Sequence, residues 1–152
     1  MVKIYIASDF TLIPKIKKVC EVLEDAGHEV LVKWWSRLAL MEKFQTFTDD
    51  EFYDETENRN AYEMDFEGVM ECDVLLFVAD DEPKYYGGAN VELGIALGNQ
   101  KRCMSIGRLR KSAMYYPVYR AKDMTDVLCN LSFLDQFIFR SKQPEEKEHE
   151  PR

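Results

Sequence analysis

The stretch Asp73-Val74-Leu75-Leu76-Phe77-Val78-Ala79 constrains the fold more than any other part of the chain. Its apolar residues run on without a polar break. A strand with one wet face alternates, whereas an unbroken run belongs to a strand covered on both faces, as in a parallel sheet. Parallel strands need long crossovers, usually helices, and the flanking sequence supplies them. Val2 to Ala7 reads as a first strand, broken by Ser8-Asp9. Ile13, Ile16, Cys20 and Leu23 follow at helical spacing, with Pro14 at the start and Gly27 at the end, the usual punctuation of an amphipathic helix. His28 to Val32 reads as a second strand, and a helix is expected from about Asn58 to Glu71. Beyond the apolar strand, Tyr85 to Gly88 reads as a loop and Ala89 to Leu97 as a helix closed by Gly98-Asn99. Arg102 to Ile106 and Pro117 to Tyr119 are the fourth and fifth strands, and a last helix runs from Thr125 to about Phe139. The expected fold is one α/β domain over residues 1–140: a doubly wound, flavodoxin/Rossmann-like five-stranded parallel sheet in three α/β/α layers.

Two segments resist this pattern. Residues 33 to about 58 are irregular, with Trp34-Trp35, a short helix expected near Arg37–Phe44, and an acidic run from Thr48 to Glu57. Insertions of this length in compact domains usually carry function or move. Residues 141–152 are charged and poor in apolar groups, as expected of a disordered tail.

Charge removes one class of partner. Lys and Arg number 20 against 28 Asp and Glu, a net charge of −8, which repels polyanionic nucleic acids. The basic cluster of Lys101, Arg102, Arg108, Arg110 and Lys111 reads more plainly as a solvated loop and strand end than as a phosphate site. Four scattered cysteines and two histidines, without a CxxC pair, favour neither a zinc site nor a disulfide framework. With no apolar stretch near the roughly 18 residues of a membrane span and no leader-like start, a cytoplasmic location is expected.

Ligands of doubly wound sheets bind beyond the carboxyl ends of the strands, where strand order reverses. That rule points to the loops after Ala7, Val32, Ala79 and Ile106. Glu92 is the oddest residue nearby: its helical neighbours at three and four positions are Gly88, Ala89, Ile95 and Ala96, all uncharged. Its plainer role is to complement the macrodipole at a helix start. Asp65 interrupts an apolar face between Tyr62 and Val69, and the plainer reading is a boundary aspartate. Two carboxylates converging on one rim fit glycosidic or acid/base chemistry. Tyr5 in the first strand is ordinary core in its plainer reading. Asp80, Asp81 and Glu82 lie at the right edge, although most acidic turns are merely solvated. Gly87-Gly88 ahead of a helix suits an anion on backbone amides, and Trp34-Trp35 suits either a base or the core.

Taken together, the stretch Asp65 through Asp73 to Asp80, followed by Gly87-Gly88-Ala89-Asn90-Val91-Glu92-Leu93-Gly94, resembles the nucleoside 2-deoxyribosyltransferase family and the related 2′-deoxynucleoside 5′-monophosphate N-glycosidases. Lys3 to Ala7 agrees with that family's first strand, and the likeness covers roughly residues 2 to 107. The resemblance implies cleavage or transfer at an N-glycosidic bond of a nucleoside or nucleotide, as in nucleotide salvage. It casts Glu92 as the nucleophile on C1′, Asp65 as the residue that orients it or assists proton transfer, and Tyr5 as a hydrogen-bond donor to it. Ser8, Asp9, Phe10, Asp80, Tyr86, Gly87, Gly88 and Asn90 are the candidate substrate-binding residues. No cofactor or metal is implied, and a homodimer or larger assembly is.

The departures from the family pattern leave the substrate open. Tyr86 stands six residues before the glutamate, where transferases carry an acid and monophosphate hydrolases a serine. Asp80 or Asp81 is the candidate replacement for that acid. Asp9 in the first loop disfavours a phosphate, and Phe10 offers a ring to a base. Two other readings stand beside the enzyme: a catalytically inactive nucleotide sensor, and a receiver-like signalling domain. Asp9 and Asp80 partly fit a receiver, but Tyr119-Arg120 lacks its lysine.

Overall fold

The computed structural model describes residues 1–37 and 55–141. Five parallel strands form the sheet: β1 Lys3–Ala7, β2 Glu29–Leu31, β3 Val74–Val78, β4 Arg102–Ile106 and β5 Tyr119–Arg120. Their order is β2-β1-β3-β4-β5, the flavodoxin-type order of a doubly wound sheet. Helices α1 Ile13–Asp25, α2 Glu55–Glu71, α3 Gly87–Gly98 and α4 Met124–Ser141 cover it. Contacts pair α1 with α4 and α2 with α3, giving the three-layer arrangement expected from the sequence. No helix among the described residues is long and apolar enough to cross a membrane.

The continuous apolar run sits where its pattern demands. All five β3 residues are buried, with β1 on one side and β4 on the other. Tyr5 pairs with Leu75, which in turn pairs with Cys103. Helix α1 buries Ile13, Ile16, Val19, Cys20 and Leu23, the stripe expected of an amphipathic helix. Gly27 ends it at φ +83, and the His28 N–H closes back onto the Leu23 carbonyl, a left-handed stop that suits glycine.

Several boundaries differ from expectation for physical reasons. Strand β2 stops at Leu31 because Val32 turns to φ +48. Strand β5 begins at Tyr119 rather than Pro117, whose ring has no N–H for a ladder. Helix α2 starts three residues early, at Glu55, and α4 extends through Ser141, the first residue of the expected tail. Gly87 and Gly88 belong to the first turn of α3 rather than to a loop. The rest of the tail and the helix expected near Arg37–Phe44 lie outside the described residues, Arg37 apart.

Candidate active site

Strands β1 and β3 are neighbours, yet the chain leaves β1 toward β2 on one side and β3 toward β4 on the other. The connections therefore diverge, and a crevice opens at the carboxyl ends of these two strands. Tyr5, at the centre of β1, is fully buried and donates its hydroxyl to Glu92 Oε1 at 2.9 Å. A glycine makes room for the phenol. A Cβ on Gly68 of α2 would stand 3.0 and 3.1 Å from two ring carbons of Tyr5 and 2.6 Å from Val32 Cγ2. Helix α2 thus packs closely on β1 because position 68 has no side chain. Glu92 projects from α3, whose buried side is made of Ala89, Leu93 and Ala96. Small neighbours leave the carboxyl group in a recess rather than in open water.

Asp65 of α2 and Arg37 complete the recess. Arg37 Nη2 donates to Asp65 Oδ1 at 2.7 Å, with the side chains only 20% and 24% exposed. Arg37 arrives there through a chain of local causes. Val32 is held in the left-handed region at φ +48, a conformation that costs a β-branched residue about 1–3 kcal/mol. The bend feeds a 3₁₀ turn at Trp34–Ser36. The Trp34 indole N–H donates to the Ile6 carbonyl at 2.8 Å, and the Arg37 N–H donates to the Trp34 carbonyl at 3.2 Å. The turn is therefore pinned to β1, and the guanidinium is delivered to Asp65.

These groups line a cavity of about 220 Å³. Of the residues expected from the sequence, Ser8, Asp9, Phe10, Asp65, Gly87, Gly88 and Glu92 line it, with Trp34 and Arg37 beside them. Tyr5 meets it through Glu92. Phe10 stands edge-on to Trp34, ring centres 5.4 Å apart. Trp34 is buried in the core and also lines the cavity. Ser8 Oγ donates to the Val78 carbonyl at 2.6 Å, tying the first loop to the end of β3. Gly87, Gly88 and Ala89, the first turn of α3, line the cavity, and the helix start carries no side-chain cap.

Three expected binding residues stand apart from that cavity. Tyr86 turns inward, only 1% exposed, with its ring edge-on to Phe77 and its hydroxyl accepting from the Asp80 N–H. Asp80 accepts from the Asp81 N–H and lies 3.9 Å from Lys84. Asp81 is 92% exposed and pairs with Lys15. Asn90 accepts from the Tyr115 hydroxyl at 2.8 Å and lines a different hollow, between α3 and the segment Arg110–Tyr115. It sits two residues from Glu92, about 200° around a helix, and so faces away. Arg37, conversely, was not singled out by residue. The sheet rule points to the loop after Val32, but that loop carries more than one basic residue, Lys33 and Arg37 among them, and nothing in the sequence separates them.

Electrostatics sets the state of each group. Burial pushes the Glu92 carboxyl up to about 8; the Tyr5 hydrogen bond opposes this, the Asp65 charge adds to it, and Arg37 opposes it. At neutral pH Glu92 therefore keeps most of its proton. The Tyr5 phenol is raised well above its ordinary value by burial, then by the charges of Glu92 and Asp65, so it remains a donor. Burial works to raise Asp9, but bonds from the Thr11 side chain and backbone, with Lys84, outweigh it and leave the carboxyl below its usual value. Among the described residues no cluster of three or more His, Cys, Asp or Glu is placed to hold a metal ion. The chemistry on offer is that of a desolvated carboxyl group with a fixed donor, a second carboxylate and one guanidinium.

This is a doubly wound α/β domain with a carboxyl pair at the point where strand order reverses. Among solved structures it is similar to the CMP N-glycosidase BcmB of Clostridium botulinum, with a TM-score of 0.53 and 15% identity, covering 86% of this chain and 98% of that one. The fold is thus the one the sequence resemblance implied. A 3-dehydroquinate dehydratase-like protein of Bifidobacterium longum aligns with a TM-score of 0.46 and 12% identity, covering 91% of this chain and 98% of that one. No family model and no curated protein matches the chain.

Proposed function

We propose that this protein cleaves or transfers the N-glycosidic bond of a nucleoside or nucleotide, with Glu92 as nucleophile. The observation that carries the reading is the recessed Glu92 carboxyl, held by Tyr5 at 2.9 Å and sharing its cavity with Asp65. An ionised carboxylate there is poorly solvated and sits within reach of a sugar carbon. It attacks C1′, the base leaves with the bonding electrons, and a glycosyl ester forms on Glu92. Water or a second base then resolves the ester. Tyr5 fixes the carboxylate and Asp65 orients the groups around it. Phe10 and Trp34 supply apolar surface to a flat base. The likeness to a CMP N-glycosidase supports this class of reaction.

The test is a panel of ribo- and 2′-deoxyribonucleosides, their 5′-monophosphates and NAD, each with and without a second free base. Released or exchanged bases are followed by chromatography, and the protein is followed by intact mass. The expected result is base release together with a glycosyl adduct on the peptide that contains Glu92, absent in Glu92→Ala. A folded protein that releases no base from any member sinks the reading.

The titration of Glu92 gives a second expectation. The nucleophile must be ionised in the free enzyme, so kcat/KM rises about tenfold per pH unit and levels near pH 8. Tyr5→Phe removes the hydrogen bond that lowers the Glu92 value, so the limb moves to higher pH. A limb centred in the ordinary carboxylate range, or one unmoved by Tyr5→Phe, contradicts the assignment.

A further inference from the structure

Breaking a glycosidic bond leaves an electron pair on the base, and something in the site has to accept that charge. Purines, and cytosine at N3, have a basic ring nitrogen that an acid can protonate; uracil and thymine have none, and the charge of any departing pyrimidine spreads onto the 2-carbonyl beside the glycosidic nitrogen. The cavity offers few proton donors for this step. Glu92 is committed as nucleophile, and the Tyr5 proton is shared with it. The Ser8 hydroxyl is given to the Val78 carbonyl. Asp9 accepts from Thr11, and Asp65 accepts from Arg37. What remains is a cation. Arg37 is the positively charged side chain lining the cavity among the described residues, and it is four-fifths buried. Its contact to Asp65 runs through Nη2 alone among those residues, while a guanidinium carries five N–H donors in a rigid fork.

We propose that Arg37 receives the charge of the leaving base by donating to the carbonyl next to the glycosidic nitrogen, with Asp65 holding the guanidinium in place, so that the site is built for pyrimidine leaving groups. The inference rests on the glycosidic reading and deepens it. In the step, Glu92 Oε bonds to C1′ as the C1′–N bond breaks. The electron pair passes to the ring nitrogen and the 2-carbonyl oxygen, where Arg37 N–H groups meet it. The departed base later takes its proton from water. No acid inside the cavity is consumed, and a preorganised donor in a water-poor recess is worth far more than the same donor in water.

Leaving groups of different acidity provide the test. Uridine and 5-fluorouridine differ by one atom far from C1′, but the fluorinated base carries negative charge more readily and needs less help. They are used as ribosides, deoxyribosides or monophosphates, as the panel above dictates. Arg37→Gln is expected to lower kcat on the uracil substrate by about 10²–10³-fold and on the 5-fluoro substrate by only about tenfold. Arg37→Lys, which keeps the charge and loses the fork, recovers part of the uracil rate. The ratio of the two substrates within one preparation cancels any loss of folded protein. Equal losses on both substrates, or no loss, overturn the role of Arg37 and leave the glycosidic reading standing. So does a wild-type enzyme that cleaves purine substrates alone. A wild-type protein that releases no base overturns both.

Discussion

Glu92→Gln is expected to lose turnover and gain stability at once. The amide keeps the shape of the carboxyl, accepts the Tyr5 hydroxyl through its oxygen, and offers its NH₂ toward Asp65. It cannot attack a sugar carbon, so turnover falls about 10³-fold or more. The stability gain follows from proton linkage. The folded-state value of about 8 lies above the reference value of 4.5. Between those values the native state holds a proton that the unfolded chain has released. This group's contribution is therefore favourable at acid pH, falls as pH rises through the window, and is fully lost above about 8. Glutamine does not titrate. The advantage of Glu92→Gln grows from near zero below pH 4.5 to roughly 5 kcal/mol at pH 9, or a Tm shift on the order of 10 °C for a domain of this size. Thermal melts of both proteins at pH 5 and pH 9 check it. Equal melting temperatures at both values would show that Glu92 is solvated in the native state, and its candidacy as a strained nucleophile would fall with that. A site residue whose removal stabilises the fold is what a stability–activity trade-off predicts.

Much of this was legible because it depends on spacing. The unbroken Val74–Val78 run marked the central strand, and the α1 stripe marked a helix that buries one side. Glu92 stands out through the small uncharged residues one turn either side of it, of which Gly88 and Ala89 line its cavity. Arg37 was illegible because its placement depends on a torsion and a distant bond: Val32 at φ +48 and the Trp34 indole on the Ile6 carbonyl. Neither leaves a periodic trace. Tyr86 holds its position in the family pattern but lies outside the cavity. The chain runs extended at Tyr86, which caps α3, and directs its ring onto Phe77. Asn90 is a different case, since helix geometry alone places it nearly opposite Glu92.

Gly107→Ala is expected to be the most disruptive single-methyl change in the described structure, and Gly27→Ala shows why. Both glycines have positive φ, +91 and +83. At Gly27 an added Cβ meets nothing within 4 Å, so the substitution costs only the left-handed conformation, about 1–2 kcal/mol. At Gly107 the same Cβ would stand 2.2 Å from the Ala79 carbonyl oxygen and 2.7 Å from its carbon. Those are backbone atoms with no rotamer to escape into. Relief would require parting β3 from β4 where the Ala79 N–H donates to the Ile106 carbonyl and the Arg108 N–H to the Asp80 carbonyl, both at 2.8 Å. Losing those two bonds adds roughly 1–3 kcal/mol to the torsional cost, before any packing is lost. Urea titrations of the two variants separate the terms: Gly27→Ala moves the midpoint slightly, while Gly107→Ala moves it several-fold further or leaves no folded protein. Equal shifts would mean that the β3–β4 edge yields without cost. The close approach at Gly107 would then not be what holds the carboxyl end of β3 in place, and with it Val78, to which Ser8 of the cavity is tied.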